Sequence, residues 1–224
     1  MAIKKRPVSP RQKMINLMYV VLMAMLALNV SNEVLNGFSI VEESLKRTTV
    51  NATNENLAIY DDFAVQMKKN PQKVEQWYNK SQQVKHLSDS LYNMIADLKE
   101  AIVHEADGDD GDVKNIRNKE DLEAASQVML APGRGQGQKL YEAINNYRAK
   151  LLPMVTTPRQ KQMLVSNLTT EVPKSAKAMG KNWQEYMFEA MPAAAAVTLL
   201  SKLQSDVRYA EGEVLHTLVQ NIDV

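Results

Sequence analysis

The least polar part of the chain lies near its N-terminus, where no charged residue occurs from Met14 through Asn32. A helix of these nineteen residues would be about 28 Å long at roughly 1.5 Å per residue, which just spans a bilayer. The continuous apolar run within it, Leu17 to Leu28, has only twelve residues. That length also suits a cleaved signal peptide or a buried core helix. No small-x-small cleavage site follows the run, so we predict a retained transmembrane helix over 14–32.

The charges on either side of this segment differ in sign. The next thirteen residues after it, Glu33 to Leu45, contain three acidic residues and no cation. Five cations precede it: Lys4, Lys5, Arg6, Arg11 and Lys13. The positive-inside rule then predicts a single-pass protein of the bacterial inner membrane. Residues 1–13 would be a cytoplasmic basic N-terminus, and 33–224 a periplasmic domain.

Helical periodicity continues after the predicted span. Apolar residues three to four positions apart predict that the helix runs on into the periplasm with one apolar face: Val34, Leu35, Phe38, Val41 and Leu45. Asn70 and Pro71 are typical of an N-cap followed by proline at the first helical position. A long helix should follow, with a seam near heptad spacing: Val74, Trp77, Val84, Leu87, Leu91, Met94, Leu98 and Ile102.

Glycines and prolines divide the rest of the chain. The segment Asp107 to Asp112 should end the long helix, and Ala131 to Gln138 should form a second, glycine-rich loop. Three prolines predict short helices, namely Pro153, Pro158 and Pro173. Pro192 should open a final long helix with a second seam: Val197, Leu200, Leu203, Val207, Ala210, Val214 and Leu218. Strand-like alternation is almost absent, so we predict an all-α fold in which one N-terminal transmembrane helix continues into a periplasmic helical bundle.

Composition argues against several classes of function. Five of the 27 basic residues precede the predicted span, which leaves 22 against 26 acidic residues, so a nucleic-acid partner is disfavoured. There is no cysteine, and the three histidines have no metal-ligand spacing. We therefore predict no catalytic residue, no metal, no cofactor and no enzyme activity. The adjacent acids Glu42-Glu43 and Asp61-Asp62 are expected on solvated faces.

Polar and small residues mark the predicted span as a site of contact with other helices and with membrane lipid. Arg11 stands just before the span, and Asn16 and Tyr19 lie in its first turns. Polar groups at such depth usually face protein, so these three are candidate partner contacts, although Arg11 could equally be a snorkelling anchor. A second set of small residues should allow close packing against another transmembrane helix: Ala24, Ala27 and Ser31.

The same segment carries a family resemblance. The string PRQKMINLMY from Pro10 to Tyr19, continued by MAMLALNVS from Met23 to Ser31 and by Glu33-Val34-Leu35, resembles the N-terminus of the gliding-motility family GldM, called PorM in non-gliding bacteria. The helical portion up to Val224 is similar in layout to the first periplasmic domain of that family. Full-length members continue into β-rich domains, so the resemblance implies a membrane anchor plus the first domain only.

The resemblance implies a function that composition alone does not. It implies a homodimer whose two membrane helices sit inside a ring of GldL-type subunits, which carry a proton-linked glutamate. The family's membrane-proximal arginine corresponds to Arg11. Such a motor uses proton-motive force to drive gliding and type IX protein secretion, and it passes motion to other periplasmic components of that machinery.

The residues fit this implication, because the predicted span has no Asp or Glu of its own and the titrating acid must then belong to a partner. Two other functions remain open from the sequence. One is a membrane-tethered periplasmic sensor, although a receptor usually returns through a second span, and the apolar run from Met191 to Leu200 is short and includes Pro192. The other is a passive scaffold that only positions the periplasmic helices.

Overall fold

A computed structural model of the chain describes residues 7–28 and 31–223, and within helix α1 it describes no side chain beyond Leu22. Helices account for all the regular secondary structure in these ranges, which confirms the predicted all-α class. The elements are α1 (Pro10–Leu28), α2 (Asn32–Lys69), α3 (Pro71–Asp107), α4 (Ala124–Met129), α5 (Gln136–Leu151), a 3₁₀ turn (Leu152–Met154), α6 (Pro158–Asn167), α7 (Lys174–Ala178), α8 (Trp183–Phe188) and α9 (Ala193–Asp223).

The three longest helices, α2, α3 and α9, form the bundle. Helix α9 packs along both of the others and is buried over most of its circumference. It starts with a run of alanines from Ala193 to Ala196, all of them buried, and such small side chains let helix backbones approach closely. The C-terminal helix is therefore the central element of the core.

The predicted signals at both ends of α3 are confirmed. Asn70 caps the helix, because its Oδ1 accepts a hydrogen bond from the backbone N–H of Lys73 at 3.3 Å, and Pro71 takes the first helical position. The helix ends at Asp107, and Gly108 follows with a φ of 95°, a conformation that suits glycine.

Both predicted seams face the core. On α9, the buried positions include all seven that were predicted. On α3, Val74, Val84, Leu91, Leu98 and Ile102 are buried, and the other three seam residues pack partly buried against the same cluster.

The predicted apolar face of α2 is wrong in part. Leu35 is buried and Phe38 and Leu45 are half-buried, but Val34 and Val41 are 49% and 47% exposed. Val34 and Leu35 are neighbours in sequence and so lie about 100° apart around a helix, which prevents both from facing one partner.

A second layer of short helices covers one side of the bundle. Helices α4 and α5 pack against α3, α6 packs against α9, and α8 packs against α4, α5 and α9. The predicted proline breaks are confirmed at the 3₁₀ turn and at the start of α6 and α7. The predicted glycine loop is too long, because α5 begins at Gln136 and already contains buried Gly137.

Helix α1 stands apart from the bundle. Among the residues described, no helix is both long and apolar enough to cross a membrane. The continuation of α1 directly into α2 is not observed, since Ser31 has extended backbone angles (φ −63°, ψ 147°) and caps α2. A span over 14–32 and the division into 1–13, 14–32 and 33–224 therefore stay predictions, and Asn29 and Val30 lie outside the described residues.

Candidate functional site

Helix α1 begins at a local capping motif. The hydroxyl of Ser9 accepts a hydrogen bond from the backbone N–H of Gln12 at 3.2 Å, and its carbonyl accepts one from Lys13 N–H at 3.0 Å. Pro10 occupies the first helical position, where its missing N–H costs nothing. The sequence therefore fixes the start of α1 one residue before Arg11.

The three candidate partner contacts, Arg11, Asn16 and Tyr19, are all exposed on α1. At about 100° per residue, Asn16 and Tyr19 lie about 60° apart, whereas Arg11 lies about 80° from Tyr19 and about 140° from Asn16. Asn16 already accepts a hydrogen bond from Gln12 Nε2 at 3.1 Å. Asn16 and Tyr19 thus share one face, and Arg11 points to another part of the surface.

The positive side chains at the start of α1 are unfavourable for the stability of that helix. The N-terminal end of a helix carries partial positive charge, so cations there are unfavourable by about 0.3–1 kcal/mol each. Arg11 and Lys13 nevertheless occupy this end. Helix stability does not explain their placement.

Large apolar side chains project from all sides of α1 between Met14 and Leu22. From Met14 to Leu22 the large apolar residues are 47% to 69% exposed, and α1 makes no extensive contact with any other described element. A helix that is apolar all round ordinarily lies within a protein core or a membrane. In the part of the chain that the structure describes, no other helix packs extensively against α1.

The predicted small-residue face of Ala24, Ala27 and Ser31 stays a prediction. Ala24 and Ala27 belong to α1, but their side chains lie outside the described part of the chain. Ser31 belongs to a different feature, since its hydroxyl accepts a hydrogen bond from Val34 N–H at 3.3 Å and begins α2. The prediction for Ser31 assumed one continuous helix, whereas its own backbone is extended and its side chain caps α2.

A largely buried ion cluster joins the three long helices. It is made by Tyr60 on α2, Asp89 on α3, and Arg208 and Glu211 on α9. Arg208 Nη1 donates to Asp89 Oδ1 at 2.8 Å and to Glu211 Oε2 at 2.9 Å. The Tyr60 hydroxyl donates to Glu211 Oε1 at 2.8 Å. Only 2% of the Glu211 side chain and 10% of the Arg208 side chain are exposed.

Neighbouring groups complete the ion cluster. Lys85 Nζ lies 2.9 Å from Asp89 Oδ2, and the guanidinium of Arg208 stacks 4.1 Å from the centre of the Tyr92 ring. A cavity of about 160 Å³ borders the cluster, large enough for several water molecules. The two carboxylates balance the two cations, so the arrangement ties three helices together.

Burial and pairing pull the pKa values of the ion cluster in different directions. Burial raises the pKa of Glu211 above its ordinary 4.5, although Arg208 and Tyr60 oppose the shift. Burial also acts to raise the pKa of Asp89, but hydrogen bonds from Lys85 and Arg208 outweigh it and lower that pKa. Burial is also the largest cause of the raised pKa of Tyr60. The tyrosine is therefore a hydrogen-bond donor at any ordinary pH.

The sequence contained a weak signal of this cluster. Arg208 and Glu211 stand three residues apart beside the seam residues Val207 and Ala210, so they lie one turn apart at the edge of the buried face. The prediction that the adjacent acids lie on solvated faces is wrong for Glu42, and Glu211 is a further buried acid outside that prediction. Glu42 Oε1 accepts from Ser201 Oγ at 2.6 Å, and its Oε2 is buried.

Comparison with known proteins supports the resemblance noted in the sequence. A family model described as the GldM N-terminal domain matches residues 33–221. The match covers the helical bundle and begins at Glu33, so it does not depend on the motif in α1. A comparison with curated proteins finds no match.

Proposed function

Because the chain belongs to the GldM family, which takes part in gliding motility and type IX secretion, we propose that it is the central-shaft subunit of an inner-membrane motor driven by proton-motive force. In this role α1 is the single membrane anchor, with the N-terminus in the cytoplasm and the bundle in the periplasm. Motion of α1 would be passed through α2 to the periplasmic parts of the machinery.

The observation that carries this proposal is the exposure of α1. Its large apolar residues from Met14 to Leu22 point in all directions and have no partner in the described part of the chain. Embedding this helix in a membrane among other helices removes that surface from water. We propose that these neighbours are the second copy of α1 in a homodimer and a surrounding ring of GldL-type subunits.

Arg11 supplies the charge that such a motor needs. An arginine stays protonated at any relevant pH, so it can pair with an ionised carboxylate on a ring subunit. Protonation of that carboxylate removes the ion pair, and deprotonation restores it. Proton flow would then break and remake contacts around the central helices in sequence. Asn16 and Tyr19, which share a neighbouring face of α1, would add polar contacts in the same interface.

Helix α2 suits the transmission of that motion. Its 38 residues make a rod about 57 Å long at roughly 1.5 Å per residue. The ion cluster and the α9 seam fix this rod to the rest of the bundle. Torque on one end of α2 would therefore turn the whole domain.

The test is a comparison of two neighbouring cations in the native bacterium. Arg11 and Lys13 lie about 160° apart around α1, so Arg11→Ala removes the proposed ion pair and Lys13→Ala serves as its matched control. We expect Arg11→Ala to abolish secretion through the type IX pathway, at normal protein level, and Lys13→Ala to preserve it. Wild-type secretion and motility by Arg11→Ala would refute the motor mechanism.

Purification of the protein from the membrane distinguishes a shaft subunit from a passive scaffold or a sensor. A motor subunit should co-elute from mild detergent as two copies with several copies of a small membrane protein. A dimer that elutes alone under the same conditions would favour a scaffold or sensor. Arg11→Ala should retain the assembly if its role is switching, since packing of α1 supplies the remaining contacts.

A further inference from the structure

An open cleft lies outside the three-helix bundle, among the short helices. It has a volume of about 690 Å³, within the usual range of about 300–1,000 Å³ for ligand sites. Its walls come from α5, α7, α8, the irregular segment 170–172 and residues 181–182, which connect α7 to α8. The residues that line it and carry the argument are Tyr141, Asn145, Arg148, Lys177, Lys181 and Trp183.

The floor of the cleft is aromatic and held in place. The Tyr141 ring lies 6.1 Å from that of Trp183, which in turn meets Phe188 edge-on at 5.9 Å. Trp183 is buried and Tyr141 is half-buried, so Tyr141 presents the accessible aromatic surface. Gln184 Nε2 donates to Gln138 Oε1 at 2.6 Å and ties α8 to α5. The floor is therefore a preformed surface.

The walls of the cleft are positively charged. Arg148, Lys177 and Lys181 face a single acid of the lining, Glu171. This local excess of positive charge contrasts with the rest of the chain, because the residues after position 13 are acidic on balance. Lys181 has one carboxylate partner, Glu189 Oε2 at 3.0 Å, whereas Lys177 has no ion pair within the described residues. The Lys177 ammonium is thus available to an anionic ligand, and Lys181 can join it by exchanging its partly exposed pair with Glu189 for a pair with the ligand.

A network of hydrogen bonds positions the third cation and an amide. Arg148 Nη1 donates to the Leu168 carbonyl, and its Nη2 donates to Asn145 Oδ1 at 2.6 Å. Asn145 Oδ1 also accepts from Thr170 Oγ1 at 2.8 Å. With its oxygen occupied twice, Asn145 is oriented so that its amide nitrogen can donate to a ligand.

We propose that this cleft binds an acidic, extended peptide segment of a partner protein. Carboxylates of the peptide would pair with Lys177 and Lys181, its main-chain carbonyls would accept from Asn145, and an apolar side chain would cover Tyr141. An amide can recognise a peptide main chain, and the neighbouring ammonium groups can recognise carboxylates. This combination favours a polypeptide over a neutral glycan. The site is separate from α1 and does not depend on the motor mechanism.

The test uses the full chain in detergent and a fluorescein-labelled peptide of alternating glutamate and alanine. Anisotropy titration at low salt should give saturable binding that weakens as salt is added, because screening acts on exposed charges. The same peptide with glutamine in place of glutamate should bind at least about tenfold more weakly. Lys177→Glu with Lys181→Glu should cause a loss of similar size.

Two control variants distinguish binding in the cleft from a general effect of net charge or of unfolding. Lys68→Glu and Lys69→Glu together make the same change in net charge at the far end of α2 and should leave the dissociation constant within about twofold. Lys177→Gln with Lys181→Gln removes the cations without adding charge, should also weaken binding, and reports on folding through an unchanged Tm. The proposal is overturned if the glutamate peptide does not bind or its binding does not saturate, or if the glutamine peptide binds with the same affinity. It is also overturned if the Lys68→Glu and Lys69→Glu control loses as much affinity as the cleft variant, or if a chitin oligosaccharide binds as tightly as the peptide.

Discussion

Asn56 on α2 and Gly212 on α9 lie at a point where the two helices nearly touch. A Cβ atom on Gly212 would stand 2.8 Å from Asn56 Oδ1. Asn56 Nδ2 donates to the Arg208 carbonyl at 2.9 Å, one turn earlier on α9. The buried Asn56 amide therefore sets how closely the two helices can approach, and its hydrogen bond fixes their register beside the ion cluster.

Gly212→Ala should destabilise the chain, although alanine favours a helix. The new methyl group forces Asn56 or α9 to move, and overpacking of this kind costs about 1–3 kcal/mol. Gly37→Ala on α2 is the matched control, because a Cβ there meets nothing within 4 Å. That control should be stabilised by about 0.4–1 kcal/mol. Urea unfolding followed by circular dichroism measures both, and equal effects at the two sites would contradict the close approach.

Tyr60→Phe should destabilise the chain through one lost hydrogen bond. Glu211 is buried and would lose the hydroxyl that satisfies Oε1, which costs about 1–3 kcal/mol. Tyr209→Phe is the control, since that side chain is 50% exposed. It should change the free energy of unfolding by less than about 0.5 kcal/mol. A Tyr60→Phe variant as stable as wild type would mean that water replaces the hydroxyl in the adjoining cavity.

The parts of the fold that were predictable depend on uninterrupted periodicity. Helices α3 and α9 carry long apolar seams, and capping or proline signals mark their starts, so their limits and buried faces follow from sequence. Helix α2 interleaves buried polar residues such as Thr49 and Asn56 with exposed valines such as Val41. Its buried face is set by partners on α9 that are more than a hundred residues away.

The ion cluster could not be assembled from sequence for a similar reason. Tyr60, Asp89 and Glu211 come from three helices, and only the packing of those helices removes their polar groups from water. On α1 the candidate residues were predictable but their arrangement was not. The angular separation of Arg11 from Asn16 follows from helix geometry once α1 is known to be a helix, whereas the extended backbone at Ser31 depends on a cap that the apolar pattern did not indicate.

Glu211 should give the chain a characteristic pH dependence. Burial raises its pKa above 4.5, so the folded state binds the proton more tightly than the unfolded state. The stabilisation from neutral Glu211 is then fully present below 4.5 and is lost as pH rises through the raised pKa. Glu211→Gln removes this contribution.

The measurement is the difference in unfolding free energy between wild type and Glu211→Gln at several pH values. We expect wild type to gain stability relative to the variant as pH falls through the raised pKa of Glu211 toward 4.5. The difference is needed because burial also raises the pKa of Asp206, which adds its own slope to both proteins. A difference that stays constant with pH, or grows with rising pH, would show that the ion pair with Arg208 dominates over burial.

Replacing the charged pair as a unit should affect stability quite differently from breaking it. Glu211→Leu alone leaves Arg208 with one carboxylate partner in a largely buried position, and a change of this kind costs about 3–5 kcal/mol. Arg208→Met combined with Glu211→Leu and Tyr60→Phe removes the charges and the hydroxyl together. Asp89 keeps Lys85 at 2.9 Å and remains partly exposed, so it is not left without a cation.

We expect the triple variant to be within about 1 kcal/mol of wild type or more stable, as when other buried ion pairs are replaced by apolar residues. Its helices should then be less strictly held in register, because Asn56 still bonds the backbone carbonyl at position 208 but the polar contacts of the ion cluster no longer add to that alignment. Amide hydrogen exchange would detect this as faster opening of α2 at unchanged global stability. A triple variant as unstable as Glu211→Leu would instead show that the ion cluster contributes directly to the stability of the bundle.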